Sequence, residues 1–154
     1  MLAGLAAAVA DRLGVELPPL RLLTQWGEPM PVELPDDVVA APGLLGSAAE
    51  QLLDHGERKR SGAWFTPPEV AATLAGWALD GLGSADAPPL VLDPAAGGGA
   101  FLLAAAEVLG RRGVDPVVVV SRHVVGVERD PVSAAVAEAA LALWCGGGAV
   151  PSIA

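Results

Sequence analysis

The chain has 154 residues, of which 53% are hydrophobic and 18% are charged, a composition typical of a globular domain and not of a disordered chain. A formal net charge of −9 excludes a free-standing nucleic-acid binder, because contacts with phosphate need clustered lysines and arginines. The single cysteine, Cys145, excludes an internal disulfide and favours a reducing compartment, so we expect a cytoplasmic protein.

The first 60 residues predict a helical and proline-rich segment. Residues 2–13 are rich in alanine and predict a short helix that Gly14 ends. Six prolines between residues 15 and 43 predict an extended connector. Residues 44–60 place apolar side chains at helical spacing and end in basic ones, which predicts an amphipathic helix. We find no signal peptide and no run near the roughly 18 apolar residues of a membrane span, so we expect no membrane partner.

Residues 61–154 predict one α/β domain. Thr66 is expected to cap a helix that opens at Pro67–Pro68 and runs to about Leu82. A polar loop follows this helix. Residues 90–93, LVLD, then form a continuous apolar run, which is typical of a strand that is buried on both faces.

Two further helices and a second strand follow in this domain. A helix is predicted over Ala100–Arg111 and a strand over residues 124–128, VVGVE. Asp130 and Pro131 predict the N-cap and the first residue of a last helix. Residues 115–123 are ambiguous: their valines favour a strand, but their Asp-Pro start favours a short helix leading into the second strand, which is our interpretation.

The alternation of helices and strands predicts a parallel sheet with right-handed crossovers. We therefore expect a partial Rossmann-like α/β domain over residues 61–154, with two or three strands. The helical segment over residues 1–60 precedes it.

A glycine turn follows the first strand, in the sequence DPAAGGGAF. Glycines at the carboxyl end of a parallel strand let a ligand approach the backbone without meeting a Cβ. Glu128, at the end of the next strand, could accept hydrogen bonds from both hydroxyls of a ribose. The same residues are also compatible with a tight turn and a helix cap that bind nothing.

Two kinds of nucleotide site do not fit this turn. A phosphate-binding loop needs Lys-Ser/Thr after the glycines, where Ala100 and Phe101 stand. A dinucleotide fingerprint needs a third glycine, where Leu102 stands. An adenosine ligand without phosphates is the better candidate, and S-adenosylmethionine is such a ligand.

Three segments resemble the S-adenosylmethionine-dependent N6-adenine DNA methyltransferases of restriction–modification systems. VLDPAAGGGAFLLAA resembles motif I, commonly D-P-A-C-G-S-G-A-F-L. VVGVERDPVSAAVAEAALAL is similar to the strand and helix that follow it, motif II, and RKRSGAWFTPPEVAATLAGWAL resembles the preceding motif X. Residues 44–60, LLGSAAEQLLDHGERKR, resemble the helix that precedes motif X, and the order and spacing of the segments over about 44–144 are typical of the N-terminal portion of such an enzyme.

The resemblance implies a cofactor site with residue-level roles. Phe65, Thr66 and Pro67 would contact the methionine end of the cofactor. Glu128 would hold the ribose hydroxyls, and Arg129 would flank the adenine. The cradle would be formed by Asp93, Pro94, Ala95, Gly97, Gly99 and Phe101.

The chain departs from the family pattern at three positions within these motifs. Ala96 and Gly98 stand where cysteine and serine are usual, so we expect the turn to survive with more backbone freedom. Arg129 replaces a common aliphatic residue, and its guanidinium would either stack on adenine or point to solvent.

The family's catalytic motif, [ND]-P-P-[YF], does not occur in the sequence. In the family it binds the N6 amine and stacks on the flipped-out adenine. We therefore expect no catalytic residue here, no methylation by this chain alone, and DNA contact only together with a C-terminal part. A restriction or specificity subunit is a further candidate partner.

We expect no metal site either, because His55 and His123 each lack a second ligand nearby. The alternatives are a methyltransferase acting on RNA, protein or a small molecule, and a non-catalytic remnant.

Overall fold

The computed structural model describes residues 1–25, 29–52 and 66–154. Across these ranges the strands form one parallel sheet in the order β1-β2-β3. The strands are β1 (Val91–Asp93), β2 (Val124–Gly126) and β3 (Ser152–Ile153). The alternation of parallel strands with helices confirms the predicted α/β class.

The helices agree closely with the sequence prediction in the second half of the chain. They are α1 (Leu2–Leu13), α2 (Arg21–Thr24), α3 (Leu44–Leu52), α4 (Pro68–Leu79), α5 (Ala100–Arg111), α6 (Pro116–Val118) and α7 (Pro131–Trp144). The predicted bounds of α5 are confirmed. The predicted helix over residues 44–60 is confirmed as far as Leu52, and the rest of it lies outside the described residues. Within the described ranges, no helix is long and apolar enough to span a membrane.

The ends of the helices follow the local chemistry of their caps. Gly14 ends α1 in the left-handed conformation, with φ of 66°. The Asp130 carboxylate accepts a hydrogen bond from the Ser133 amide at 2.7 Å, which confirms it as the N-cap of α7. Asp115 caps α6 in the same way and so starts the predicted short helix, which continues as a π-helical turn, Val119–His123, into β2.

The predicted N-cap of α4 is wrong. Thr66 does not cap this helix; Pro67 occupies the N-cap position, with φ of −53° and ψ of 138°, and no side chain caps the helix. The reason is steric, because a residue that precedes a proline is pushed out of the helical region, and Pro67 precedes Pro68. The helix therefore begins one residue later than a Thr66 cap requires.

The C-terminal end of α4 is set by a contact with α5. The helix stops at Leu79, short of the predicted Leu82. The Arg112 guanidinium donates hydrogen bonds to the carbonyls of Leu79 at 2.6 Å and Leu82 at 2.7 Å. The Leu79 carbonyl also accepts from the Leu82 amide at 3.0 Å, so Arg112 adds a second hydrogen bond at the last residue of the helix and ties the following turn to the end of α5.

The two faces of the sheet differ in what covers them. Side chains alternate between faces along a strand. Val124, Gly126 and Ile153 lie on the face that α5 and α7 cover, and a Cβ on Gly126 would come within 2.8 Å of the Leu102 side chain of α5. Leu92 lies on the other face and is 60% exposed, so the expected burial of β1 on both faces is wrong for this chain.

The N-terminal helices belong to the same hydrophobic core as the sheet. Val9 of α1, Leu22 of α2 and Leu45 of α3 are buried in one cluster with Leu109 of α5 and Leu141 of α7. The core is therefore continuous across the proposed boundary near residue 60. The division of the chain at that boundary stays a prediction.

Glu138 fixes part of the proline-rich connector. This carboxylate is 2% exposed in the middle of α7, and its Oε2 accepts hydrogen bonds from the amides of Leu22 at 2.8 Å and Leu23 at 3.2 Å. Both amides lie in α2, a one-turn helix within the segment that was predicted to be extended. Burial raises the pKa of Glu138 above its ordinary value, although the two amides and the nearby Arg21 guanidinium oppose this shift.

This raised pKa predicts how stability depends on pH. The folded chain holds the Glu138 proton more tightly than the unfolded chain, so the free energy of unfolding should fall as pH rises from about 4.5 through the raised value. Replacing Glu138 by Gln should remove this component, because the amide stays neutral and its oxygen can accept both bonds. Replacing it by Ala should cost about 3 kcal/mol, because two buried amides lose their acceptor. Urea unfolding of the three proteins between pH 4 and 8 measures both effects, and equal pH profiles of wild type and the Gln variant would contradict the assignment.

Candidate functional site

The site is built where β1 and β2 end at the same edge of the sheet. Beyond the last paired residues, the Val127 amide donates to the Asp93 carbonyl at 2.9 Å, and the Ala96 amide donates to the Val127 carbonyl at 3.0 Å. These bonds continue the strand pairing into the two following turns. The turn after β1 and the turn after β2 are therefore held side by side.

Glu128 joins these two turns through its carboxylate. Oε2 accepts a hydrogen bond from the Gly97 amide at 2.7 Å, and Oε1 accepts one from the Asp130 amide at 2.8 Å. Gly97 lies just before α5 and Asp130 caps α7, so the negative charge stands near the N-terminal ends of two helices, where it is favoured. The structure therefore brings the glycine turn and Glu128 together, and their role toward a ligand stays a prediction.

Each of the three glycines in the turn occupies its position for a different structural reason. Gly97 has φ of 53°, and among the described residues a Cβ on it would meet no atom within 4 Å, so none of them fills the open space above it. Gly99 has φ of 83°, and its Cβ would lie 2.9 Å from the Ala137 Cβ of α7. A Cβ on Gly98 would lie 3.3 Å from a methyl group of Val136. A Cβ would therefore meet no described residue at Gly97, whereas Gly98, although exposed itself, and Gly99 allow α7 to pack closely.

Asp93 shapes the start of the turn. Its Oδ1 accepts a hydrogen bond from the Ala95 amide at 3.0 Å, two residues on, which is the geometry of an Asx turn. Asp93 is half-buried, and one carboxylate oxygen is thus committed to the backbone. This residue positions the turn whether or not it also contacts a ligand.

A family model for N-6 DNA methylase matches residues 40–144, which is more than half of the chain. The chain belongs to the N-6 DNA methylase family. A comparison with curated proteins finds no match. The match covers α3 to α7 and so includes both turns that Glu128 joins.

The other residues that the family resemblance singled out lie around this pair of turns or apart from it. Phe65 lies outside the described residues, so nothing tests its role. Thr66 is half-buried and Pro67 is exposed at the start of α4, and no hydrogen bond among the described residues joins either one to the glycine turn. Phe101 is 37% exposed in the first turn of α5, and Arg129 is exposed beside Glu128. Pro94, also exposed, lies in the turn itself; the ligand roles of all six residues stay predictions.

Sequence analysis did not predict one structural neighbour of the glycine turn. A Cβ on Gly98 would lie 3.7 Å from the Cα of Gly46, which places α3 directly against the turn. The only local signal was a glycine inside an apolar helix, which often marks a close approach of two backbones.

The candidate site at the glycine turn offers a carboxylate and backbone amides as binding groups. Within the described ranges, no group of three or more histidine, cysteine, aspartate or glutamate side chains could hold a metal ion. A shallow depression elsewhere, between Leu17 and Gly147, lies near the C-terminal end of α7, whereas the glycine turn lies toward its N-terminal half. The open space at Gly97 is thus the candidate site, and it offers acceptor oxygens and amide donors.

The packing of Gly99 on Ala137 gives a direct test of this geometry. Replacing Gly99 by Ala should lower the free energy of unfolding by about 3 kcal/mol, because both the left-handed φ and the contact with α7 oppose a side chain. Replacing Gly97 by Ala should cost about 1 kcal/mol, since only its φ opposes the change. Gly76 of α4 is a matched control, because its Cβ would meet nothing and alanine there should stabilise the helix slightly. Urea unfolding measures all three, and equal losses at Gly97 and Gly99 would contradict the packing argument.

Proposed function

We propose that this chain is the S-adenosylmethionine-binding portion of an adenine-N6 DNA methyltransferase of a restriction–modification system. The observation that carries the proposal is the Glu128 carboxylate, which lies at the end of β2 and bonds to the Gly97 amide of the glycine turn. The turn and the acid come from separate βα units, and the fold brings them within hydrogen-bond distance. The family assignment supplies the reaction class.

The bonding capacity of Glu128 fits the ribose of the cofactor. A carboxylate is an acceptor with about four lone-pair sites, and each Glu128 oxygen has one hydrogen bond in this structure. A ribose offers two neighbouring hydroxyl donors. Glu128 can therefore accept both hydroxyls, either by sharing its oxygens with the backbone amides or by exchanging the Gly97 bond for a ligand bond.

The glycine turn fits the uncharged part of such a ligand. The open space above Gly97 admits a ligand close to the backbone, which a side chain at this position would obstruct. Residues 93–101, DPAAGGGAF, contain no lysine or arginine that could neutralise a pyrophosphate. These properties favour a nucleoside with a short charged tail over a nucleotide with several phosphates.

The remaining roles follow the family pattern and extend the proposal. Phe65, Thr66 and Pro67 would contact the methionine end of the cofactor, and Arg129 would flank the adenine. Phe101 is exposed enough to contact a ligand from the first turn of α5. When bound, S-adenosylmethionine supplies an electrophilic methyl group; the residues of this chain bind and orient the cofactor.

The acceptor side of the reaction requires groups that the sequence does not contain. No Asn/Asp-Pro-Pro-aromatic segment occurs among its 154 residues, so no residue is assigned to the target adenine. The chain by itself should bind the cofactor without transferring the methyl group. DNA and a restriction or specificity subunit are proposed partners of the complete enzyme.

The cofactor proposal is tested by calorimetric titration with S-adenosylmethionine. The wild-type chain should bind it, and Glu128→Ala should weaken the affinity at least tenfold, because hydrogen bonds to a charged group contribute about 1.5–3 kcal/mol each. ATP should not compete, because the turn carries no group to neutralise its phosphates.

Glu107→Ala is the matched control, since Glu107 is a half-buried glutamate on α5 whose one ion pair among the described residues is with Arg111, one turn away on the same helix. Circular dichroism of both variants would confirm that each is folded. A folded wild-type chain that gives no heat would contradict the cofactor proposal. Equal affinities of the wild type and Glu128→Ala would contradict the role of Glu128.

A second measurement tests whether the chain transfers a methyl group. Incubation with S-adenosylmethionine labelled in the methyl group and adenine-containing duplex DNA should leave the DNA unlabelled, because no acceptor motif is present. The Glu128→Ala variant reveals contamination by a host enzyme, since a contaminant would label DNA equally in both preparations. Labelling at adenine N6 by wild type alone would overturn the expected inactivity.

A further inference from the structure

The N-terminal helix α2 contacts the sheet at the same edge as the candidate cofactor site. Its first residue, Arg21, is exposed, and its Nη2 donates a hydrogen bond to the Ile153 carbonyl of β3 at 3.1 Å. The two residues are 132 positions apart, so the fold and not the local sequence makes this contact. The family match covers residues 40–144, and both residues lie outside it. The family assignment therefore gives neither of them a role.

The Ile153 carbonyl belongs to a peptide group that is tied to Glu128. In this peptide group the Ala154 amide donates to the Gly126 carbonyl at 3.0 Å, and the Ala154 carbonyl then accepts the Glu128 amide at 2.8 Å. Both bonds of Ala154 are directed toward β2. Because the backbone groups of successive strand residues face opposite edges, the Ile153 carbonyl faces the outer edge of β3. Arg21 and Glu128 therefore bond to neighbouring peptide groups from opposite edges of one strand.

The backbone of Arg21 is held by buried contacts of α2. The Glu138 carboxylate of α7 accepts hydrogen bonds from the amides of Leu22 and Leu23, and both of these leucines are buried in the core. Helix α2 cannot shift relative to α7 without breaking these bonds. The side chain of Arg21 carries the same constraint to the end of β3.

The bond from Arg21 affects Glu128 through the strand that lies between them. The Glu128 carboxylate bonds to the amides of Gly97 and Asp130. Neighbouring strands lie about 4.8 Å apart, so β3 separates its outer edge from the end of β2. A hydrogen bond to a peptide carbonyl also polarises the N–H of the same peptide group and makes it a stronger donor. Arg21 thus strengthens the pairing of Ala154 with β2 at the point where Glu128 begins the next turn.

We propose that Arg21 is a positioning residue of the cofactor site, because its bond to the Ile153 carbonyl fixes the end of β3 and, through Ala154, the backbone of Glu128. The direction of the Glu128 carboxylate toward a ligand depends on this backbone. The N-terminal segment is then part of the site. The inference rests on the proposed function, since the positioning serves the ligand that Glu128 binds.

Calorimetric titration with S-adenosylmethionine tests this role. Arg21→Ala should weaken the affinity about fivefold, because a charge-assisted hydrogen bond that orders the site is lost. Arg21→Lys should restore most of the affinity, since the contact joins one donor to one carbonyl and an ammonium group can supply that donor.

Arg12→Ala is the matched control for this titration. Arg12 is also exposed, and its guanidinium also donates to a backbone carbonyl, that of Leu34 at 2.8 Å, which lies in the connector and not in β3. The control removes the same charge and should leave the affinity unchanged. An equal loss of affinity in the Arg12 and Arg21 variants would refute the positioning role, because the change in charge would then explain both.

A double-mutant cycle separates positioning from a general effect on the fold. If Arg21 acts through Glu128, Arg21→Ala should cause no further loss of affinity in a chain that already carries Glu128→Ala. Losses that add in the double variant would overturn the proposal, because Arg21 would then act on the ligand directly or on the whole chain.

Hydrogen exchange of the ligand-free chain separates this inference from the proposed function. Arg21→Ala should raise the exchange rate of the Glu128 amide about fivefold, while the Ala105 amide in the middle of α5 keeps its rate. If the wild-type chain binds no S-adenosylmethionine, the proposed function fails and the exchange rate alone decides the role of Arg21. An unchanged rate at Glu128 would refute it.

Discussion

The candidate site depends on one carboxylate that joins two turns. Glu128 accepts hydrogen bonds from Gly97 before α5 and from Asp130 at the cap of α7, so a single side chain orients the N-terminal ends of both helices. Its position is fixed in turn by the backbone, because its own amide donates to the Ala154 carbonyl at 2.8 Å. The carboxyl ends of all three strands are thus tied together at this point. Backbone hydrogen bonds also hold the two turns side by side, so the carboxylate adds to an existing pairing and places its own oxygens at the glycine turn, where its proposed chemistry requires them.

Small side chains allow the strand ends and the starts of α5 and α7 to lie close together at Glu128. Helix α7 is buried from Ala134 to Leu143 and approaches α5 closely enough that Gly99 has no room for a Cβ beside Ala137. Farther along the same pair of helices, a Cβ on Gly110 would lie 3.1 Å from the Trp144 ring. With only two phenylalanines in the chain, the core combines close helix approach with buried leucines such as Leu102, Leu109 and Leu141. Small residues at these contacts therefore let α7 pack directly against the glycine turn and α5.

The features that were predicted correctly from the sequence are those that neighbouring residues determine. The bounds of α5, the Asp130 cap and the short helix after Asp115 depend on residues within one or two turns, and all are confirmed. Features set by distant residues were not predictable: α2 is held by Glu138, more than 110 positions away, and the end of α4 is set by Arg112. The glycine turn and Glu128 are an intermediate case. They are far apart in sequence, but the rule that parallel strands end at one edge of a sheet was enough to place them together.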